Sequence, residues 1–195
     1  MNVTRLQKQF GSFIVAALIL NGAASTRVSA DGQHGNAKHT TTAPGADSLI
    51  GVARQAAERF KNVEVAKAEG YAPMFGCVSG EDKGAMGIHY VNMSLVGDPE
   101  IDATKPEIVI YEPMPDGSLK LIGADYLVLA NAWDTNPKNK GTPQLMGQLF
   151  HLFAAPNRYG LPAFYTLHVW AFKENPTGAF VNWHSNVSCA SAGGQ

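Results

Sequence analysis

The chain has 195 residues, 45% of them hydrophobic and 16% charged, with a formal net charge of −1. That apolar share supports a packed core and excludes a wholly disordered chain, and the length fits one ordinary domain with a tail. Fifteen Lys and Arg stand against sixteen Asp and Glu with no basic block, which argues against a nucleic-acid partner.

Residues 1–30 read as a signal peptide. Arg5 and Lys8 precede an unbroken apolar run over 13–20, and small residues end in Val28-Ser29-Ala30. A positive start, a short apolar stretch and an A-x-A-like end are the export pattern. The apolar run falls well short of the ~20 residues that span a bilayer, so no stable membrane insertion is expected once cleavage after Ala30 has occurred. A periplasmic or secreted destination follows. Residues 31–46 hold no large apolar side chain and read as a disordered Gly/Thr/His tail. His34 and His39 within it are weak evidence for metal scavenging. Residues 47–195 are expected to form a single α+β domain.

The first element of that domain is an amphipathic helix opening at Asp47 or Ser48. Leu49, Val52, Ala53, Ala56, Ala57, Phe60, Val63 and Ala66 recur at three- and four-residue steps, with Gly70 as the stop. Strand-like segments follow at 86–93, 107–112, 119–130 and 164–172, rich in Val, Ile, Tyr, Phe and Trp. Pro113-Met114-Pro115-Asp116-Gly117 between the second and third signals a hairpin. The segments 78–83, 134–141 and 173–178 read as loops. Strands that follow strands without intervening helices imply a mainly antiparallel sheet. The helix is expected to pack on a curved sheet or a small barrel.

The segments Met86-Gly87-Ile88-His89-Tyr90-Val91-Asn92, Tyr111-Glu112-Pro113-Met114-Pro115-Asp116-Gly117 and Leu167-His168-Val169-Trp170 together resemble a family of uncharacterised exported bacterial proteins. The resemblance covers roughly residues 49–189. It implies a small secreted domain and supplies no activity.

Cys77 and Cys189 both lie in the exported part. An even number of cysteines in an oxidising compartment points to one long-range disulfide. Their separation fits neither a C-x-x-C pair nor a zinc knuckle, and a catalytic cysteine is the lesser reading. Gly76-Cys77-Val78-Ser79-Gly80 puts its serine one place late for a nucleophile elbow.

Polar residues on apolar faces mark the candidate site. Strict alternation over 119–130 places Asp125 on the face of Leu121 and Leu127, where an ionised carboxylate is costly unless paired or metal-bound. The same rule sets His168 among Phe164, Thr166, Trp170 and Phe172, His89 beside Tyr90, and Glu112 on the face of Ile108 and Ile110. His89 and His168 with Asp125 or Glu112 offer two imidazoles and a carboxylate, a set suited to a divalent transition metal such as Zn, Fe, Mn or Cu. His151 and His184 are further ligand candidates in loop-like sequence. Met86, Met93 and Met146 hint at copper, although six Met in this length is unexceptional.

Three functions stay open on the sequence. One is an exported protein that binds a small molecule or metal through His89, Asp125 and His168, with Tyr90, Glu112 and Trp170 as ligand-binding candidates in an apolar cavity. Another is a periplasmic enzyme in which Asp125 and His168 form a catalytic acid–base pair. The last is a structural domain whose buried Asp–His pair only pins strand order.

Overall fold

The computed structural model describes residues 48–193. The expected signal peptide and tail lie outside the described residues. Ser48 caps the first helix, its Oγ accepting from the Gly51 N–H at 3.1 Å. Helix α1 covers Leu49–Ala57, a 3-10 turn covers Glu58–Lys61, and α2 covers Val63–Ala68. The apolar stripe thus runs through two short helices rather than the one continuous helix its spacing suggests. Asn62 is the reason. It adopts an extended backbone and its side chain accepts from the Glu64 N–H at 3.0 Å, so a residue that favours capping ends one helix and starts the next. Gly70, in the left-handed region at φ 91°, closes α2.

Six strands follow in one sheet, in the order β1-β2-β3-β4-β8-β7, every pair antiparallel. They are β1 (Tyr71–Ser79), β2 (Ala85–Asn92), β3 (Ile108–Pro113), β4 (Leu119–Leu129), β7 (His151–Phe153) and β8 (Phe164–Val169). A separate two-stranded ribbon pairs β5 (Gln144–Leu145) with β6 (Gln148–Leu149), and short helices α3 (Met93–Val96) and α4 (Ala130–Asp134) cap β2 and β4. The sheet is open, with β1 and β7 at its edges, so the barrel alternative is set aside. The Pro113–Gly117 stretch does turn β3 into β4, Met114 giving its N–H to the Ser118 carbonyl at 2.9 Å.

Strand β1 has no clear signature in the sequence. It carries Pro73 and two successive residues in the left-handed region, Phe75 at φ 66° and Gly76 at φ 63°. Both are skipped in the ladder, which passes from Met74–His89 to Cys77–Ile88. Segment 78–83, read as a loop, in fact begins inside this strand. At the other end of the chain β8 stops at Val169, three residues short of the expected 164–172 segment. Trp170 gives its N–H to the Ala179 carbonyl instead, at 3.0 Å.

The helices cover one face of the sheet. Leu49 and Ala53 pack on Tyr126, Val128, Leu167 and Val169, while Ala57 and Phe60 pack on Tyr90, Val109, Tyr111 and Leu121. Each fully buried Val, Leu or Phe side chain among them contributes about 1.5–3 kcal/mol. The other face holds Val91, Ile108, Ile110, Ile122, Leu127, Phe164 and Trp170, covered by Tyr159, Leu161 and the C-terminal Val187. Leu121 therefore lies opposite Asp125 and Leu127, not beside them. Partners change from Ile110–Gly123 to Tyr111–Leu121, so Ile122 is an extra residue that reverses the alternation.

Cys77 and Cys189 are bonded, with Cα atoms 5.6 Å apart, tying the C-terminal segment to β1. In the chain-entropy account, closing a loop of this size stabilises by about 4–5 kcal/mol.

Glu107 sits where the β3–β4 ladder runs out. Ile108 pairs with Asp125, and two residues on the Leu127 N–H is taken by Glu107 Oε2 at 3.0 Å. Glu107 is 2% exposed, and burial pushes its carboxyl pKa up to about 8, partly opposed by backbone hydrogen bonds. The folded state keeps a proton that the unfolded chain releases near its ordinary value of 4.5. Its stabilisation is therefore complete below about pH 4.5 and is lost as pH rises through about 8. Glu107→Gln keeps an acceptor for Leu127 and cannot ionise. Urea unfolding at pH 5 and pH 9 is expected to show a variant-minus-wild-type stability difference that grows by at least about 1 kcal/mol at the higher pH. A difference independent of pH would refute the assignment.

Candidate metal centre

The face away from the helices brings together residues from three strands. Asp125 lies mid-way along β4, and its direct cross-strand partner on β8 is His168. Thr166, two residues before His168 on the same strand, gives its hydroxyl to Asp125 Oδ1 at 2.5 Å. His89 comes from β2, paired with Ile110 on β3. In a flat sheet β2 and β8 would stand three strand spacings apart, about 14 Å. His89 Nε2 and His168 Nε2 are 3.4 Å apart. Such an approach requires a sheet strongly curled about this face. Gly123 permits part of that curl, because a Cβ there would meet the Val169 carbonyl at 2.8 Å and the Trp170 ring at 3.3 Å.

All three residues are buried, His89 at 6%, Asp125 at 2% and His168 at 3% exposure. Each supplies one ligand atom of a set lying within 4.8 Å of one another. Metal–nitrogen bonds of 2.0–2.1 Å in a tetrahedral site put neighbouring donors about 3.3 Å apart. The Nε2–Nε2 separation of 3.4 Å matches that edge and is also within hydrogen-bond reach of one ring for the other. Asp125 Oδ1 stands 3.6 Å from the opposite nitrogen of His168, Nδ1, so one ion can use only one of these two contacts. The second distance lies beyond hydrogen-bond reach. At that separation Asp125 and His168 are neighbours without the charge-assisted bond expected of a structural or catalytic pair, and the Thr166 hydroxyl is the side-chain donor on Asp125 Oδ1. His89 Nδ1 and His168 Nδ1 are buried with no hydrogen-bond partner, a condition that costs about 1–3 kcal/mol per group.

Burial sets the charge states. It pushes the His89 pKa down to about 4, with His168 adding to the effect, and the His168 pKa down to about 3. It raises the Asp125 pKa to about 6, against the pull of the Thr166 hydroxyl. At neutral pH the cluster thus offers two neutral imidazoles and one carboxylate, the protonation states that metal ligands need.

The three residues line a cavity of about 30 Å³ together with Met86, Tyr159 and the rings of Phe75, Phe153 and Phe164. That is room for an ion and one or two waters, against the roughly 300 Å³ or more of sites for organic molecules.

The other sequence candidates stand elsewhere. Tyr90 is on the helix-covered face, edge-on to Tyr111 with ring centres 4.9 Å apart. Glu112 is held by Lys173, whose Nζ lies 2.8 and 2.7 Å from its two oxygens, and does not line the cavity. Trp170 backs onto His168 at 5.8 Å between ring centres and gives its indole N–H to the Val181 carbonyl. His151 is exposed in β7 beside Asn182. His184 is buried against Trp170, pairs its backbone with Ala85, and its Nδ1 accepts from the Asn186 N–H. Phe75, Phe153 and Tyr159 reach the site from a bulge and from the 142–163 stretch, where the sequence carries no clear periodicity.

No family model, curated protein or solved structure matches the chain.

Asp125→Asn keeps an acceptor for Thr166 and removes a buried charge. In metal-free protein at pH 8, well above the Asp125 pKa, this variant is expected to unfold at a higher temperature, by about 1 kcal/mol or more in stability. A lower melting temperature in the presence of chelator would show that the carboxylate itself holds the apo fold.

Proposed function

We propose that the protein is an exported transition-metal-binding protein whose ion is held by His89, Asp125 and His168. The observation that carries this reading is the pair of buried imidazoles brought within 3.4 Å of each other beside a carboxylate, with a ring nitrogen of each left unpartnered. In two neutral histidines so placed the Nε2 atoms have only each other and each Nδ1 has no partner; an ion that takes one nitrogen of each ring supplies a partner the apolar site lacks at those nitrogens. The three-ligand set leaves a coordination position open to the cavity, as in zinc sites that hold water or a small exogenous ligand. The acid–base enzyme reading is less well supported. A His168 pKa near 3 and a 3.6 Å gap to Asp125 suit proton transfer at neutral pH poorly.

Export is supported by the signal-like residues 1–30, by the resemblance to exported bacterial proteins, and by the Cys77–Cys189 bond, which belongs to oxidising compartments. Among the described residues no helix is long and apolar enough to cross a membrane.

The test is direct. Protein stripped with EDTA is titrated with Zn²⁺, Co²⁺ and Cu²⁺ by calorimetry, and bound metal is counted after desalting. One equivalent is expected to bind, with loss of affinity of more than about 100-fold in His89→Ala and His168→Ala. Circular dichroism checks that the variants stay folded. Folded wild-type protein that retains none of these ions, nor Cu(I) offered anaerobically, at micromolar concentration would overturn the reading.

A further inference from the structure

The irregularity in β2 brings a fourth donor to the cavity that the cluster lines. Residues three apart on a regular strand point to opposite faces, so Met86 should turn away from His89. It does not. The ladder passes from Val78–Gly87 to Ser79–Ala85, which leaves Met86 as an extra residue. Gly87 sits at φ 95°, and a Cβ there would meet the Tyr111 carbonyl at 2.5 Å. Only glycine fits, and the bulge it permits delivers Met86 to the cavity that His89, Asp125 and His168 line. Bulges of this kind re-aim side chains at functional sites.

We propose that Met86 Sδ is a fourth ligand and that the ion is copper, taken up as Cu(I). The inference rests on the metal reading above and names its ion. Three observations converge on it. Met86 is 2% exposed, and its sulfur accepts from the Tyr159 hydroxyl at 3.6 Å, which holds the thioether in place and leaves its second lone pair free. A thioether is a soft donor that selects Cu(I) over zinc and harder ions, while imidazole suits copper equally well. Charge also favours a monovalent ion. Among the described residues Asp125 is the one acid that lines the cavity, so Cu(I) leaves a neutral cluster. A divalent ion leaves one uncompensated positive charge among Phe75, Phe153 and Phe164, where charge is poorly solvated.

Copper and zinc affinities are compared in the wild type and in Met86→Leu, a change that keeps volume and removes the sulfur. Cu(I) is titrated anaerobically under reductant against bicinchoninate, and Zn²⁺ by calorimetry. Met86→Leu is expected to weaken Cu(I) binding at least about 10-fold and to leave Zn²⁺ affinity within about threefold. X-ray absorption at the copper edge is expected to show a sulfur neighbour in the wild type. Cys77 and Cys189 are bonded to each other, so the assignment holds even if Met86→Leu misfolds, and replacing methionine biosynthetically by selenomethionine would move that neighbour to selenium. Zinc binding with no sulfur at copper, or equal Cu(I) affinity in Met86→Leu, would overturn the copper inference alone. Failure of every ion to bind folded wild type would overturn the underlying metal reading with it.

Discussion

The curl of the central sheet is the constraint on which the site depends. His89 and His168 belong to strands separated by two others, and 3.4 Å between their ring nitrogens is reached only because the four strands wrap around the face that bears them. The devices that produce the wrap are local. Within the four strands, an extra Ile122 in β4 and an extra Met86 beside Gly87 in β2 interrupt the ladder. Bulged strands twist and bend more than regular ones. Gly123 then removes the side chain that would have held β4 away from Val169 and Trp170. The helices pack on the opposite face through Leu49, Ala53, Ala57 and Phe60.

Within that frame the cluster stands against ordinary folding preference. Two imidazoles and a carboxylate lie among Phe75, Phe153 and Phe164, with only the Thr166 hydroxyl giving the carboxylate a short side-chain bond. A core selected for stability alone would fill these positions with apolar residues of similar volume, often at no loss. Glu112 offers the contrast. It too is a carboxylate on an apolar strand, yet Lys173 meets it with both oxygens in reach, and nothing is left unpaired. Glu112 is matched by a cation, whereas Asp125 has a hydroxyl and, among the described residues, no cation beside it.

Much of the architecture was legible in sequence because it rests on periodicity. The apolar stripe from Leu49, the β3–β4 hairpin at Asp116-Gly117 and the antiparallel order all follow from spacing and turn chemistry. Asp125 and His168 were recognisable as polar residues on apolar faces, and they are cross-strand partners. What escaped is what breaks periodicity. Alternation carried through Ile122 puts Leu121 on the wrong face, and alternation carried through Gly87 hides Met86 from His89. Bulges arise from close backbone contacts such as Gly87 against Tyr111, and these are long-range facts that neither segment states alone. The spacing of Asn62 and Glu64 did contain the helix break, but the stripe outweighed it.

The distance in sequence between the two histidines has a mechanical meaning. His89 and His168 stand 79 residues apart, and the intervening chain supplies β3, β4 and β7. An ion coordinated by both is a second staple across the sheet, independent of the one at Cys77–Cys189 and lying on nearly the same span of chain. Its affinity adds directly to the free energy of folding, because the unfolded chain does not hold the ligands together. Chelating such an ion would loosen the chain as well as empty the site, and amide exchange along β2 and β8 is the natural gauge of the loosening.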